Sequence, residues 1–159
     1  MESITSNDLR AKVKSLAKQN NFQIQKIFSG KDDYSKPGTG LAKRPEILIG
    51  CQFSDLPERR KVSLEYRLFN GKFNSFIAVI GDRAFESYPQ SKAIIEKGIS
   101  EKGVRHYSSG GSVVAELEPN MASVQTFLTA YFAAQKQADS YISEKIESER
   151  KLNSKYLRS

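Results

Sequence analysis

The chain has no tryptophan, one cysteine and one histidine in 159 residues. A single Cys51, set in an apolar stretch, excludes a disulfide framework and any cysteine-paired zinc site, and it points to a reducing, cytoplasmic setting. A single His106 excludes metal sites that need two histidines. A Cys51–His106 dyad is disfavoured, because cysteine in so apolar a strand behaves as a small hydrophobe. No run approaches the roughly 18 apolar residues of a membrane helix, so no membrane partner is expected. The start, MESITSNDLR, lacks the basic head and apolar middle of a secretory leader. Apolar residues make up 38% and charged residues 27% of the chain, the proportions of a globular domain.

What the chain has in surplus is positive charge, a net +7. The excess lies in the first half and at the C-terminal end. A cationic surplus attracts polyanions and speeds their encounter without bearing on the fold.

Local signals place the elements. Thr5 and Asp8 have capping-box spacing. Leu9, Val13, Leu16 and Ala17 then recur at helical period, which predicts a helix over 6–19 with Arg10, Lys12, Lys14 and Lys18 on its other face and Asn20-Asn21 at its end. FQIQKIF (22–28) reads as a half-buried strand and EILIGCQF (46–53) as a central one. VSLEYRLF (62–69) alternates, with Val62, Leu64, Tyr66 and Leu68 on one face and Ser63, Glu65 and Arg67 on the other. Asn70-Gly71 is a hairpin signal leading into KFNSFIAVIG (72–81). Pro89 opens a second helix, 89–101, with Ile94, Ile95 and Ile99 inward and Gly103 as its stop. A hairpin turning through Ser108–Gly111 follows.

Asn120 caps a long helix with an apolar stripe from Val124 to Ile142, and the pattern dissolves after Ile146. The fold class is therefore α+β: a mostly antiparallel sheet of five to six strands, flanked by an N-terminal helix, a middle helix and a long C-terminal helix. Residues 1–142 form the domain, and 143–159 form a charged helical extension or linker.

The glycine-punctuated segment KPGTGLAKR (36–44) lacks the Lys-Ser/Thr that must follow a phosphate-cradling Walker loop, and a strand rather than a helix comes next. As a loop edged by Lys36, Lys43 and Arg44 it suits a phosphate backbone. Arg59, Arg60 and Lys61 form the densest basic cluster. With the loop cations they are expected to line one rim of the sheet, the footprint of a backbone-contacting surface. Arg105 and Tyr107, flanking His106, suit contact with phosphate and base. Glu46 and Glu65-x-Arg67 give an alternative, a Mg²⁺ nuclease, although Arg stands where Lys is usual and Glu65 beside Arg67 suits an ordinary solvent-face pair.

Gly38-Thr39-Gly40, Pro45 with EILIG, SDLPERR, VSLEYRLF and FIAVIGD together resemble the N-terminal DNA-recognition domain of McrB-type modification-dependent restriction GTPases, over about residues 38–81. The resemblance implies a DNA-reading scaffold in a restriction or phage-defence system, with a motor or nuclease subunit as a further partner. Thr39, Glu46 and Lys61 occupy positions where that family's pocket aromatics are sought.

The expectation is a double-stranded-DNA-binding module rather than an enzyme, without cofactor or metal. Lys36, Lys43, Arg44, Arg59, Arg60 and Lys61 hold phosphates, with Arg105 and Tyr107 at a second contact, and Thr39 and Tyr66 or Tyr107 come nearest a base. A protein-interaction module, such as an immunity or anti-defence factor with a basic binding face, is the remaining alternative.

Overall fold

The computed structural model describes residues 6–28, 45–53, 60–69 and 72–157. Helix α1 runs Ser6–Gln19, followed by strands β1 (Ile24–Phe28), β2 (Pro45–Phe53), β3 (Arg60–Phe69) and β4 (Lys72–Gly81). A four-residue helix α2 (Ala84–Ser87) leads into α3 (Pro89–Glu101). The hairpin β5 (Arg105–Ser109) and β6 (Ser112–Leu117) comes next, and α4 (Met121–Leu157) closes the chain. The six strands form one sheet in the order β1-β2-β3-β4-β6-β5, with every neighbouring pair antiparallel. The α+β architecture expected from the sequence is thus the observed one.

Each boundary has a local cause. Asn21 adopts φ 62°, and the Phe22 and Asn21 N–H groups donate back to Ala17 O and Lys18 O, closing α1 in a Schellman turn. Phe22 is therefore not the first residue of β1, as its sequence pattern implies. It closes the helix, and its ring packs 5.0 Å from that of Phe132. Gly103, at φ 81°, ends α3 by the same motif, with Val104 N–H donating to Ile99 O and Gly103 N–H to Ser100 O. Pro89 occupies the first turn of α3. Gly110 and Gly111, at φ 56° and 88°, make the two-residue type I′ turn that the β5–β6 hairpin needs. Asn120 Oδ1 accepts from the Ser123 N–H at 2.8 Å, which caps α4.

Alternation sorts the sheet into two faces. Val62 and Leu64 of β3, Phe76, Ala78 and Ile80 of β4, and Val113 and Ala115 of β6 join the core with α1, α3 and α4. All three helices thus cover one face. Ser63, Glu65, Ile77, Val79, Val114 and Glu116 are out of phase with that set and lie on the other face, where Ile77 and Val114 are nevertheless buried. Glu65, read from the sequence as a solvent-face charge, is also buried and accepts a 2.7 Å hydrogen bond from Ser63 Oγ.

The apolar stripe of α4 ends at Ile142, and residues 143–153 are all exposed, yet the helix continues unbroken to Leu157. At 37 residues it is about 55 Å long. Among the described residues no helix is long and apolar enough to cross a membrane.

Helices α3 and α4 meet closely at Gly98, where an added Cβ would stand 2.5 Å from the Ala134 Cβ. Alanine at a helical glycine ordinarily stabilises by up to about 1 kcal/mol. Here the overlap dominates, so Gly98→Ala is expected to destabilise by about 1–3 kcal/mol. Thermal unfolding followed by circular dichroism reads this as a Tm lowered by several degrees.

Candidate nucleic-acid interface

Arg60 is not a phosphate contact. It is fully buried, and its guanidinium is engaged on three sides. Nε donates to Asp82 Oδ2 at 2.8 Å, while Nη1 and Nη2 donate to Asp139 Oδ2 and Oδ1 at 3.1 and 2.7 Å. The ring of partners extends further. Gln135 Nε2 donates to Asp139 Oδ1, the Tyr131 hydroxyl donates to Gln135 Oε1, and Asp82 Oδ1 accepts from the Ala84 N–H. Arg60 is in phase with Val62 and Leu64, so strand alternation aims it at the helices, and Tyr131, Gln135 and Asp139 share one α4 stripe at four-residue spacing. That phase was the signal available in the sequence.

Burial opposes the charge on Arg60, but the Asp139 hydrogen bond and the surrounding anionic groups leave its pKa raised. Burial also lifts the Asp82 carboxyl above the ordinary aspartate range, and the Arg60 charge and the Ala84 N–H oppose that lift.

Of the other expected contacts, Lys36, Thr39, Lys43, Arg44 and Arg59 lie outside the described residues, as does the side chain of Tyr66. Lys61 is exposed on β3, opposite Gly81 in register. Arg105 and Tyr107 are exposed on β5, at the edge of the sheet. Strands β4 and β6 separate Lys61 from Arg105 by three strand spacings, about 14 Å. In register Arg105 is level with Glu116, Ile77 and Glu65, four residues along from Lys61. Arg60 is therefore no member of the rim expected from the sequence, and Arg105 stands apart from Lys61 at the second contact.

Other pairings read from the sequence are likewise separated. Glu46 is opposite Tyr66 and Glu65 is opposite Ile47, so the two glutamates are not cross-strand partners. Among the described residues no group of three His, Cys, Asp or Glu is placed to hold a metal ion. Cys51 on β2 and His106 on β5 stand four strands apart, and His106 Nε2 instead lies 3.5 Å from Glu96 Oε2.

Two surface features remain. The first is α1, which carries Arg10, Lys12, Lys14 and Lys18 against one acidic residue, Asp8. Arg10, Lys14 and Lys18 recur every four residues and so form one stripe, with Lys14 and Lys18 exposed and Arg10 half-buried. Lys12 lies to the other side, where its Nζ donates to Gln125 Oε1 on α4. Like charges at this spacing oppose helix formation by a few tenths of a kcal/mol each. The stripe is therefore no stabilising device for α1.

The second is a cleft of about 790 Å³ where β6 ends and α4 begins. Ile77 and Leu117 supply apolar wall, while Lys102, Arg105, Tyr107, Glu116 and Glu118 bring polar groups to it, with Ser123 and Thr126 of the first turns of α4 alongside. Arg105 and Glu116 are direct cross-strand partners, about 5 Å apart at Cα. Among the described residues neither they nor Lys102 and Glu118 form an ion pair.

Removing Arg60 leaves Asp82, whose side chain is 1% exposed, as an uncompensated buried charge. Arg60→Met is expected to cost about 3–5 kcal/mol of unfolding free energy in urea titrations. Adding Asp82→Asn should recover part of that loss, because the stranded charge goes with it. Comparison of the chain with protein-family models, with curated proteins and with solved structures gives no match in any of the three.

Proposed function

We propose that this protein is a nucleic-acid-binding module that holds the phosphate backbone of double-stranded DNA. The observation that carries the reading is the stripe of Arg10, Lys14 and Lys18 along α1, with Lys14 and Lys18 exposed, Arg10 half-buried and no carboxylate among them. Like charges four residues apart repel, and an anionic partner whose charges also repeat along a line would relieve that repulsion. The net charge of +7 supports the same partner through long-range attraction. Lys61 and the edge-strand pair Arg105 and Tyr107 offer further contacts, as do the cations of residues 36–44 and Arg59.

The restriction or phage-defence setting rests on the resemblance over residues 38–81, and a motor or nuclease subunit would then be the protein partner. Copurification after nuclease digestion separates that partner from one bridged by DNA. The lack of cross-strand pairing between Glu46 and Glu65 favours a binder over a nuclease.

Titration of labelled duplex at several salt concentrations tests the reading. Binding should weaken linearly on a log–log plot. Lys14→Gln with Lys18→Gln should reduce the slope by about 2 while leaving Tm nearly unchanged, since each removes one released counterion. Undetectable duplex binding at low salt, or a slope that the double change does not move, overturns it.

A further inference from the structure

We infer that the exposed end of α4 docks antiparallel on the same segment of a second copy of this chain. The inference goes beyond the duplex reading and uses none of its contacts. Residues 143–153 are all exposed, yet the helix runs on to Leu157, about four turns past Ile142, the last buried residue among those described. A helix of that length is marginal in water by itself, because packing of an apolar face supplies most helical stability. Among the described residues, Ile146 and Leu152 of this segment are two of the three large apolar side chains left exposed.

Spacing gives the segment a seam. Ile142, Lys145, Glu149 and Leu152 follow one another at three, four and three residues, the interval of helix pairing, and Ile146 borders that line. Charge then selects the orientation. Glu144, Glu147 and Glu149 precede Arg150, Lys151 and Lys155, with Lys145 the one cation among the acids. A parallel copy would set Lys145 against the partner's Lys145 and Glu149 against the partner's Glu149. An antiparallel copy brings halves of opposite sign level with each other.

One register satisfies the whole seam. With the twofold axis level with Glu147, Ile142 meets the partner's Leu152, Lys145 meets the partner's Glu149, and Ile146 lies beside the partner's Ile146. Glu147 is on the far side of the helix from the seam, so the axis sets no like charges together. The contact is isologous, so each unlike pair occurs twice. A cleft of about 550 Å³, lined by Asn20, Asn21, Phe22, Ile142 and Ile146 among others, opens at the foot of the domain. The partner's helix passes beside that cleft beyond its seam, covering apolar wall there as well.

Residues 142–152 span only about 16 Å, which places the pair among weak, concentration-dependent complexes. Sedimentation velocity of the full chain without nucleic acid, from about 10 µM to about 1 mM, tests this and should show a monomer–dimer equilibrium. Lys145→Glu and Glu149→Lys should each weaken association about tenfold, because each sets like charges across the seam, and the two changes combined should restore it. The two single variants, mixed, should pair with each other more tightly than either pairs with itself. Leu152→Gln should weaken association about tenfold through lost apolar contact. All three positions are exposed, so circular dichroism should show the native fold in every variant.

A monomer at every concentration, or association that the combined change fails to restore, overturns the inference. A chain that stays monomeric while Arg150→Gln with Lys151→Gln lowers its duplex salt slope would make DNA the occupant of the segment, and overturns it too. Because sedimentation is read without nucleic acid, its failure is distinguishable from failure of the duplex reading.

Discussion

The buried guanidinium of Arg60 is the constraint that holds the helix layer to the sheet. It stands at the first residue of β3, and its partners are Asp82, just past β4, and Asp139, in the middle of α4. Apolar packing between α4 and the sheet is non-directional and tolerates sliding. A bidentate arginine–aspartate fork does not, because both pairs of N–H and oxygen must stay aligned. Gln135 and Tyr131 extend the network one and two turns back along α4 itself, so they orient the Asp139 carboxylate that receives the fork. Burying Arg60 and Asp82 is costly and the pairing recovers that cost only in good geometry. The network therefore specifies an arrangement of α4 on β3 and β4 more than it adds stability.

What was legible in the sequence is what local chemistry decides. The span of α3 from Pro89, its stop at Gly103 and the cap at Asn120 each depend on residues within a turn of the boundary, while the Asn70-Gly71 hairpin signal lies outside the described residues. Strand phase marks Arg60 as inward, but its partners are not legible, because they lie 22 and 79 positions away and no window of sequence holds them together. Reading Arg59-Arg60-Lys61 as one basic cluster treated neighbours as equals, whereas strand alternation sends Arg60 to the helices and leaves Lys61 exposed. The same gap hid the β2 bulge between Ile47 and Ile49, which decides the strand positions that Glu46 and Glu65 meet. Phe22 departs from its strand pattern for a related reason. Its alternation with Ile24 suits a strand, but the two hydrogen bonds that close α1 claim the backbone at Asn21 and Phe22 first.

The cations of α1 divide by what the helix itself can use. Lys18 lies in the last turn, where a positive charge meets the negative end of the helix dipole favourably. Lys12 reaches across to Gln125 and so joins α1 to α4. Lys14 has no such use, and Arg10 is half-buried with an Nε that is buried and without a hydrogen-bond partner. Among the described residues, two of the four basic groups thus have no ion-pair partner. Those two, with Lys18 continuing their line, are the ones for which an external anion is the economical explanation.

Stripe and cleft differ in the sign pattern of their charges, and that difference sets what each can recognise. The stripe is of one sign, and such a surface steers and holds a polyanion without regard to its sequence. The cleft brings Lys102 and Arg105 together with Glu116 and Glu118, so its charges cancel at a distance and attract no polyanion by themselves. Close at hand the same alternation is directional. A group that approaches the cleft meets neighbouring charges of both signs, so a molecule with the wrong order of donors and acceptors leaves a charge unsatisfied. Discrimination of that kind follows from complementarity rather than net charge. On the proposed reading the one-signed helix supplies encounter with a polyanion, and the balanced charges of the cleft add nothing to that long-range attraction.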